Sequence, residues 1–580
     1  MKKIYIGLGS TFHDSSIAIV DSQGKVIFAE ATERYLQRKR ALNYVPDQRD
    51  ILANVLTEYC SDNTHFIVTK TWSKDFHDFL KFQYILGLLN TKKMPDNSME
   101  TIVSFLYDSV FSKNYIGFLE FNFLERVGNE LLQFIGEVFK NSKVTFKSYS
   151  HHLTHAAMSC YTSPFSEGVC MIADGYGEGG SIAYYHYQNG KIKQIKKNRG
   201  VASLGLLYAV CTIFCGFDPM KGEEWKVMGL APYGELDYNL YQALKAVIKV
   251  KGIEIKYSSK KAVKNLIENL ASLANHKNNF LEKRANTAYT TQFFYSEIMT
   301  QLLMSLYELG FSENLILGGG CALNSAYNGQ IYQKTKFKKL HVPCAPADDG
   351  NALGAALLSF YQEHPDLICT PTIQSPYLGS SISKLSLEHL KEFGKLNKLR
   401  HLPGEIHKET AILLSQGKLV GWVQERAEFG PRALGNRSIL ADPRSADMKN
   451  RINTVVKFRE EFRPFAPAIL HEFGEEYFEN YQESPYMERT LKFKKEVVDK
   501  VPAVVHTDRT GRLQSVKKEW NKRFYELIQA FYDLTGVPIL LNTSLNVMGK
   551  PIIHSLEDAI TVFFTTGLDA LVIEDYIIEK

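Results

Sequence analysis

Two histidines four residues apart, His151 and His155, stand in the stretch "SHHLTHAAMS", which reads as helix. At that spacing two imidazoles share one helical face, a turn apart, and can grip one metal ion. His152 offers the i,i+3 alternative, because only one of the adjacent pair can face the same way as His155. Carboxylates that could join them lie elsewhere. Asp174 ends the apolar run "VCMIAD", and Asp348 and Asp349 fall in the turn "ADDGN" ahead of a small-residue helix, where Asp349 could equally cap that helix. Two imidazoles with two carboxylates suit a borderline divalent ion such as Fe(II), Mn(II) or Zn(II), with room left for a substrate oxygen. In the polar loop "GSTFHDSS", His13 with Asp14 offers an imidazole that can take a proton from a hydroxyl. A loop histidine that merely holds backbone is the alternative there.

A different chemistry is written further on. Residues 426–463 carry nine arginines and lysines against five acids, including Arg432, Arg437, Lys457 and Arg463. They are embedded in "FGPRALGNRSIL" and "FREEFRPFAPAIL", whose prolines and glycines fix the backbone. Arginine's planar fork suits a bidentate hold on phosphate or carboxylate. The phenylalanines between the cations read as core, which makes an RNA-binding face the weaker reading. "LLNTSLNVMGKPI" adds Ser544 and Asn546 after an apolar strand, a short polar loop suited to phosphate, and Arg512 follows the same theme in "HTDRTGRLQSV". Gly318, Gly319 and Gly320, between the strand "NLIL" and a helix start at Asn324, would let backbone N–H groups approach a phosphate.

The elements that must carry these residues repeat. "GSTFHDSSIAIVDSQGKVI" at 9–27 matches "DGYGEGGSIAYYHYQNGKI" at 174–192: a polar loop, then Ser-Ile-Ala, then a turn ending in Gly-Lys. Two halves that each open on such a hairpin predict an α/β fold of paired lobes closing on a ligand, the build of actin-like (ASKHA) and sugar-kinase-like proteins. Residues 75–140 and 255–310 read as helical packing segments without chemistry of their own. The pattern breaks at 361–405 with Pro365, Pro371 and Pro376. The division predicted is therefore a lobed domain at 1–360, a linker region at 361–405 and a second α/β domain at 406–580.

Length and composition set the frame. At 580 residues the chain exceeds one core, and 45% hydrophobic with 23% charged residues is ordinary for a globular protein. A net charge of +5 leaves only local basic clusters to matter. No apolar run reaches membrane-spanning length, and His13 and Asp14 interrupt the first one too early for a signal peptide. Eight cysteines without a Cys-x-x-Cys pair fit a reduced chain, so a cytoplasmic protein without a membrane partner is expected.

Taken in order, "STFHDSSIA", "HHLTHAA", "DGYGEG", "EEWKVMGLAPYG", "GGGCALN", "DDGNALGAA", "EFGPRALGNRSILADPR", "KFREEFRPFAP" and "LNTSLNVMGKPI" resemble the O-carbamoyltransferases of the nodulation-factor and antibiotic type, over essentially the whole chain. The resemblance implies an N-terminal actin-like metal domain and a C-terminal YrdC-like domain. In the latter, carbamoyl phosphate and ATP would form a carbamoyl adenylate; a hydroxyl of a small acceptor would then take the carbamoyl group in the metal domain. The implied metal ligands are His151, His155, Asp174 and Asp348, with Fe(II) the ion favoured by the family and Mg²⁺ accompanying ATP. His13 and Asp14 fall at the catalytic positions. Gly318, Gly319, Gly320, Asn324 and Lys226 fall at nucleotide positions of the first domain. Arg432, Arg437, Lys457, Arg463, Arg512, Ser544 and Asn546 fall at carbamoyl phosphate and ATP positions of the second. Trp225 departs from the small residue many relatives carry between Glu224 and Lys226. The expected partner is a hydroxyl-bearing specialised metabolite or sugar, with nucleic acid disfavoured and a homodimer compatible. Two rival functions remain: an ASKHA-type small-molecule kinase, and an RNA-binding or tRNA-modification component.

Overall fold

The computed structural model describes residues 1–89, 103, 106, 120–274, 280–394, 396 and 398–580. Parts of the expected helical stretches 75–140 and 255–310 therefore lie outside the described residues. The chain forms two compact units: one of Met1–Thr32, Arg40–Asn324 and Ile331–Gln374, the other of Glu33–Lys39, Ser325–Gln330 and Ser375–Lys580.

The first unit holds two five-stranded sheets. One comprises β1 (Lys2–Gly9), β2 (Ser16–Val20), β3 (Val26–Ala31), β4 (Thr64–Thr71) and β5 (Lys143–Tyr149), in the order β3-β2-β1-β4-β5. The strands β6 (Glu167–Gly177), β7 (Gly180–Gln188) and β8 (Lys191–Arg199) open the second half. A small hairpin of β9 (Ile248–Lys251) and β10 (Glu254–Tyr257) follows. Then β11 (Asn314–Gly318) and β12 (Lys339–His341) complete a second sheet in the order β8-β7-β6-β11-β12.

The two sheets share one plan. In each, the first three strands form an antiparallel meander and the fourth and fifth add in parallel. The hairpin repeat read in the sequence is thus a repeat of whole sheets. Its two turns, at Gly24 and Gly190, adopt the same left-handed backbone, with φ of 83° and 81°.

Two helices fix the geometry between these sheets' strand ends. His151–Tyr161 follows β5, and Asn351–Glu363 follows the Asp348–Gly350 turn. They pack closely because Gly354 carries no Cβ; one added there would lie 2.0 Å from the Thr154 carbonyl oxygen. At its far end this helix presents Glu363 to Lys3 of β1 at 2.9 Å, Lys147 of β5 at 2.7 Å and the Tyr5 hydroxyl at 3.0 Å. Burial works against the carboxylate, but these three donors overcome it and hold its pKa at about 2. A depressed carboxyl pKa contributes stability that is present above the unfolded value and lost as pH falls through the folded one. Glu363→Gln should therefore destabilise the first unit by about 1–3 kcal/mol at pH 7, and by progressively less between pH 5 and 2. Urea midpoints of the two proteins across that range check this.

The second unit is built on one mixed nine-stranded sheet. Its strands are β13 (Leu399–His401), β14 (Val420–Val423), β15 (Arg437–Ala441), β16 (Ala466–Leu470), β17 (Arg489–Lys492), β18 (Thr510–Val516), β19 (Ile539–Ser544), β20 (Ala570–Ile573) and β21 (Tyr576–Glu579). They lie in the order β13-β21-β20-β14-β15-β19-β16-β18-β17. Helices Ile406–Ser415 and Lys522–Thr535 pack on one another over the core of Trp422, Phe524, Leu527 and Leu540. Of the region expected as a linker, 361–374 groups with the first unit and the described residues from 375 on with the second, where β13 pairs with β21. Two short pieces of the first half also belong to the second unit. Arg34 donates to the Gly430 carbonyl at 2.6 Å, and Asn328 donates to the Glu488 carbonyl at 2.9 Å.

Candidate functional site

The first unit gathers its reactive side chains at the carboxyl ends of β1, β5 and β6 and in the turn beyond β12, where loops of an α/β sheet leave a crevice. His151 and His155 lie on one face of their helix, both buried, and reach Asp174 and Asp348. His151 Nε2 is 3.0 Å from Asp174 Oδ2 and 3.5 Å from Asp348 Oδ1. His155 Nε2 is 3.1 Å from Asp348 Oδ1 and 3.4 Å from Asp174 Oδ2. Ligands bonded at about 2.1 Å to a tetrahedral ion stand roughly 3.4 Å apart, and these four atoms all lie within 4.8 Å of one another, a cluster that could hold a divalent ion. Burial disfavours a charged imidazole, yet the two carboxylates overcome it and hold the His155 pKa at about 10. Such a field is one that a cation would satisfy.

The supports of this quartet are local. The second oxygen of Asp174 accepts from Gly175 N at 2.8 Å and from Gly320 N at 3.1 Å. The triple glycine thus brings one backbone N–H onto a quartet carboxylate. Asn351 Nδ2 lies 3.1 Å from His155 Nε2, and its other amide atom accepts from Thr154 Oγ1 at 3.0 Å. His152 is fully buried and stands outside the quartet. Asp349 also stays out; its carboxylate accepts from Gly350 N at 3.1 Å.

His13 sits at the quartet's rim, with Nδ1 3.6 Å from Asp348 Oδ2 and 3.0 Å from Asp14 Oδ2. Arg40, which sequence reasoning missed, holds Asp14 through Nε at 2.9 Å and Nη2 at 2.7 Å, and lies 2.9 Å from His13 Nδ1. Burial opposes a charged Asp14, but Arg40 and His13 hold its carboxyl far below the usual range. On His13 burial and Arg40 push the pKa down, while Asp14 and Asp348 prevail and raise it. Glu120 corrects the expectation that 75–140 carries no chemistry. It is buried, accepts from Phe12 N at 3.1 Å, and so steadies the loop of His13; burial pushes its pKa to about 8. Asn324 exchanges amide hydrogen bonds with Gln292, and Lys226 pairs with Glu223 at 2.6 Å over the Phe217 ring.

The second unit collects cations where the starts of β16 and β18 meet the end of β19, as their register requires. A π-turn at Asn453–Lys457, then Phe458 in the left-handed region, presents Lys457 and Arg459. Lys457 Nζ reaches Asn546 Oδ1 at 2.6 Å, Ser544 Oγ at 3.3 Å and the Ser544 carbonyl, so these three predicted residues stand together. Burial and the repulsion of Arg459, Lys39 and Arg463 keep the Lys457 pKa well below normal. Burial with Arg512 nearby does the same to Arg432, and burial alone lowers Arg512 to about 10. Burial, Arg463 and Arg512 bring Arg459 to about 9. Arg463 pairs with Glu460 at 2.6 Å.

Lys39 was not foreseen, since it lies more than 390 residues before Arg432 in the chain. Although its surface is exposed, its pKa is lowered by loss of surrounding water and by Arg34, Arg463 and Arg432, against the pull of Glu33. Cations that depress one another's charge form a site that an anion stabilises. Arg437 leaves this set. It is fully buried, and its guanidinium donates to the carbonyls of Gln424, Asn436, Ser380 and Glu425 at 2.7–3.1 Å, bracing the turn that Glu428 organises.

Residues 4–357 match the family model described as carbamoyltransferase N-terminus, and residues 411–580 the one described as carbamoyltransferase C-terminus. An uncharacterized protein of Methanocaldococcus jannaschii is 30% identical over 99% of both chains. Nodulation protein NolNO of Sinorhizobium fredii is 35% identical, over 78% of this chain and 66% of its own. Nodulation protein NolO of Bradyrhizobium diazoefficiens is 34% identical, over 74% of this chain and 79% of its own. Among the described residues no helix is long and apolar enough to cross a membrane.

Proposed function

The chain belongs to the carbamoyltransferase family, and we propose that it is an ATP-dependent O-carbamoyltransferase working through a carbamoyl adenylate. The observation that carries the reading is the buried His151–His155–Asp174–Asp348 quartet with the His13 imidazole at its rim. On this reading the first unit is an actin-like transfer domain and the second a YrdC-like activating domain.

In the second unit, Lys39, Arg432, Lys457, Arg459, Arg463 and Arg512 neutralise the carbamoyl phosphate dianion so that a triphosphate can approach it. Water releases carbamate and inorganic phosphate; a carbamate oxygen then attacks the α-phosphorus of ATP, and pyrophosphate leaves. Ser544 and Asn546 hold Lys457 in line for this work. A carbamoyl adenylate loses its group to water when released, which favours activation and transfer within one chain.

In the first unit, His151, His155, Asp174 and Asp348 would hold a divalent ion, Fe(II) by family, with Mn(II) or Zn(II) as alternatives. When bound, such an ion supplies Lewis-acid polarisation of the carbamoyl carbonyl. His13, oriented through Nδ1 by Asp14 and Arg40, keeps Nε2 for the acceptor. It takes the hydroxyl proton as that oxygen bonds to the carbamoyl carbon, and AMP departs with the carbon–oxygen bond that breaks. The Gly318–Gly319–Gly320 loop and Asn324 are the nucleotide positions we retain here; Lys226 stays with Glu223. The acceptor is a hydroxyl of a specialised metabolite or sugar.

His13→Asn keeps a polar amide near the place of Nδ1 and loses the base. We expect it to form the adenylate at the wild-type rate and to lose about 10²–10⁴-fold in acceptor carbamoylation. Product mass spectrometry, scoring the gain of one carbamoyl group by aminoglycoside and polyol acceptors, measures this; wild-type turnover by the variant rules out the base role.

A further inference from the structure

A metal-binding histidine ordinarily donates its second ring N–H to a carboxylate or carbonyl, and that bond fixes the ring. Among the described residues His151 lacks it: its Nδ1 is buried with no hydrogen-bond partner there. Something else must hold the plane of this imidazole toward Asp174 and Asp348.

Trp72, the first residue beyond β4, lies against it. The indole stacks on the His151 ring with centroids 4.6 Å apart and planes 23° from parallel. The indole also stacks on Phe76 at 5.1 Å and 14°, so two rings hold it. Trp72 is buried, and its φ is 72°, a region that bulky residues rarely enter. Strain of this kind persists only where the surroundings over-determine it, and it concentrates at functional sites. The surroundings here are specific. Glu178 accepts from Ser73 Oγ at 2.9 Å with one oxygen and from His151 N at 3.1 Å with the other. One carboxylate thus ties the residue after Trp72 to the first residue of the histidine helix, at the helix end that favours negative charge.

We infer that Trp72 is the positioning residue for His151, its aromatic face standing in for the missing hydrogen bond and setting the imidazole for metal. The inference rests on the metal reading of the quartet. It requires an aromatic face rather than apolar bulk, and this separates it from a packing role.

The test is Co(II) binding to the purified full chain, followed by visible absorption and by competition with a chelator. Trp72→Leu should bind Co(II) about 10–100-fold more weakly, with an altered spectrum, and Trp72→Phe should restore most of the affinity. Leu and Phe variants that both bind as wild type does would overturn the inference, as would a Phe variant no better than Leu. A wild-type chain that takes up no Co(II), or a His151→Ala chain that binds it unchanged, would instead defeat the metal reading. Should Trp72→Leu fail to fold, tryptophan emission decides. Co(II) should quench the wild type and leave Trp72→Phe, which retains Trp225, Trp422 and Trp520, largely unquenched; equal quenching contradicts the placement.

Discussion

Replacement of both quartet histidines, His151→Ala with His155→Ala, should yield a protein that purifies without its divalent ion and has lost carbamoyl transfer by at least about 10³-fold. Losing even an outer support of a metal ligand costs 10–100-fold in affinity, and here two of four ligands go. Asp174 would then lose both imidazoles that face it, and Asp348 would keep only His13, 3.6 Å away, of the three it now meets. Two carboxylates alone do not hold a borderline ion against water. Carbamoyl-phosphate-dependent ATP–pyrophosphate exchange should persist, because the quartet belongs wholly to the first unit. Metal analysis and exchange on one preparation read both outcomes; a full complement of ion in the double variant would remove these histidines as ligands.

Arg463→Ala should give the opposite pattern. Exchange of pyrophosphate into ATP should fall about 10²–10³-fold while the ion is retained, as expected when one preorganised donor to a transferring phosphoryl group is removed. Two effects add. A nearly buried guanidinium disappears, and Glu460, 2.6 Å from it, loses that cation beside the proposed phosphate site. Arg463→Lys restores the charge without the fork and should recover part of the rate. Unchanged exchange in Arg463→Ala would take this residue out of the anion site.

Much of the site was legible in residue types and spacing because its parts obey local rules. The His-x-x-x-His spacing fixes one helical face whatever surrounds it, and Asp174 follows an apolar strand that could only be buried. The hairpin repeat was visible because turn chemistry at Gly24 and Gly190 recurs with its loop. What escaped was set by tertiary neighbours. Arg40 binds Asp14 across 26 residues, and Glu120 reaches the His13 loop from a segment whose composition suggests only packing. Lys39 joins the second unit although the strands on either side of it lie in the first, so no reading by contiguous domains could place it. Arg437 shows the converse. Its position within a basic motif suggested anion binding, yet both terminal nitrogens are spent on four carbonyls. Motif membership reports which residues are fixed, and only the hydrogen-bond partners report what fixes them.

The central claim is that this chain activates a carbamoyl group as an adenylate before transferring it. The direct measurement is exchange of labelled pyrophosphate into ATP by the purified wild-type protein, with and without carbamoyl phosphate. Exchange should depend strictly on carbamoyl phosphate and need no acceptor. Absence of exchange, together with acceptor products that gain a phosphoryl rather than a carbamoyl group, would contradict it.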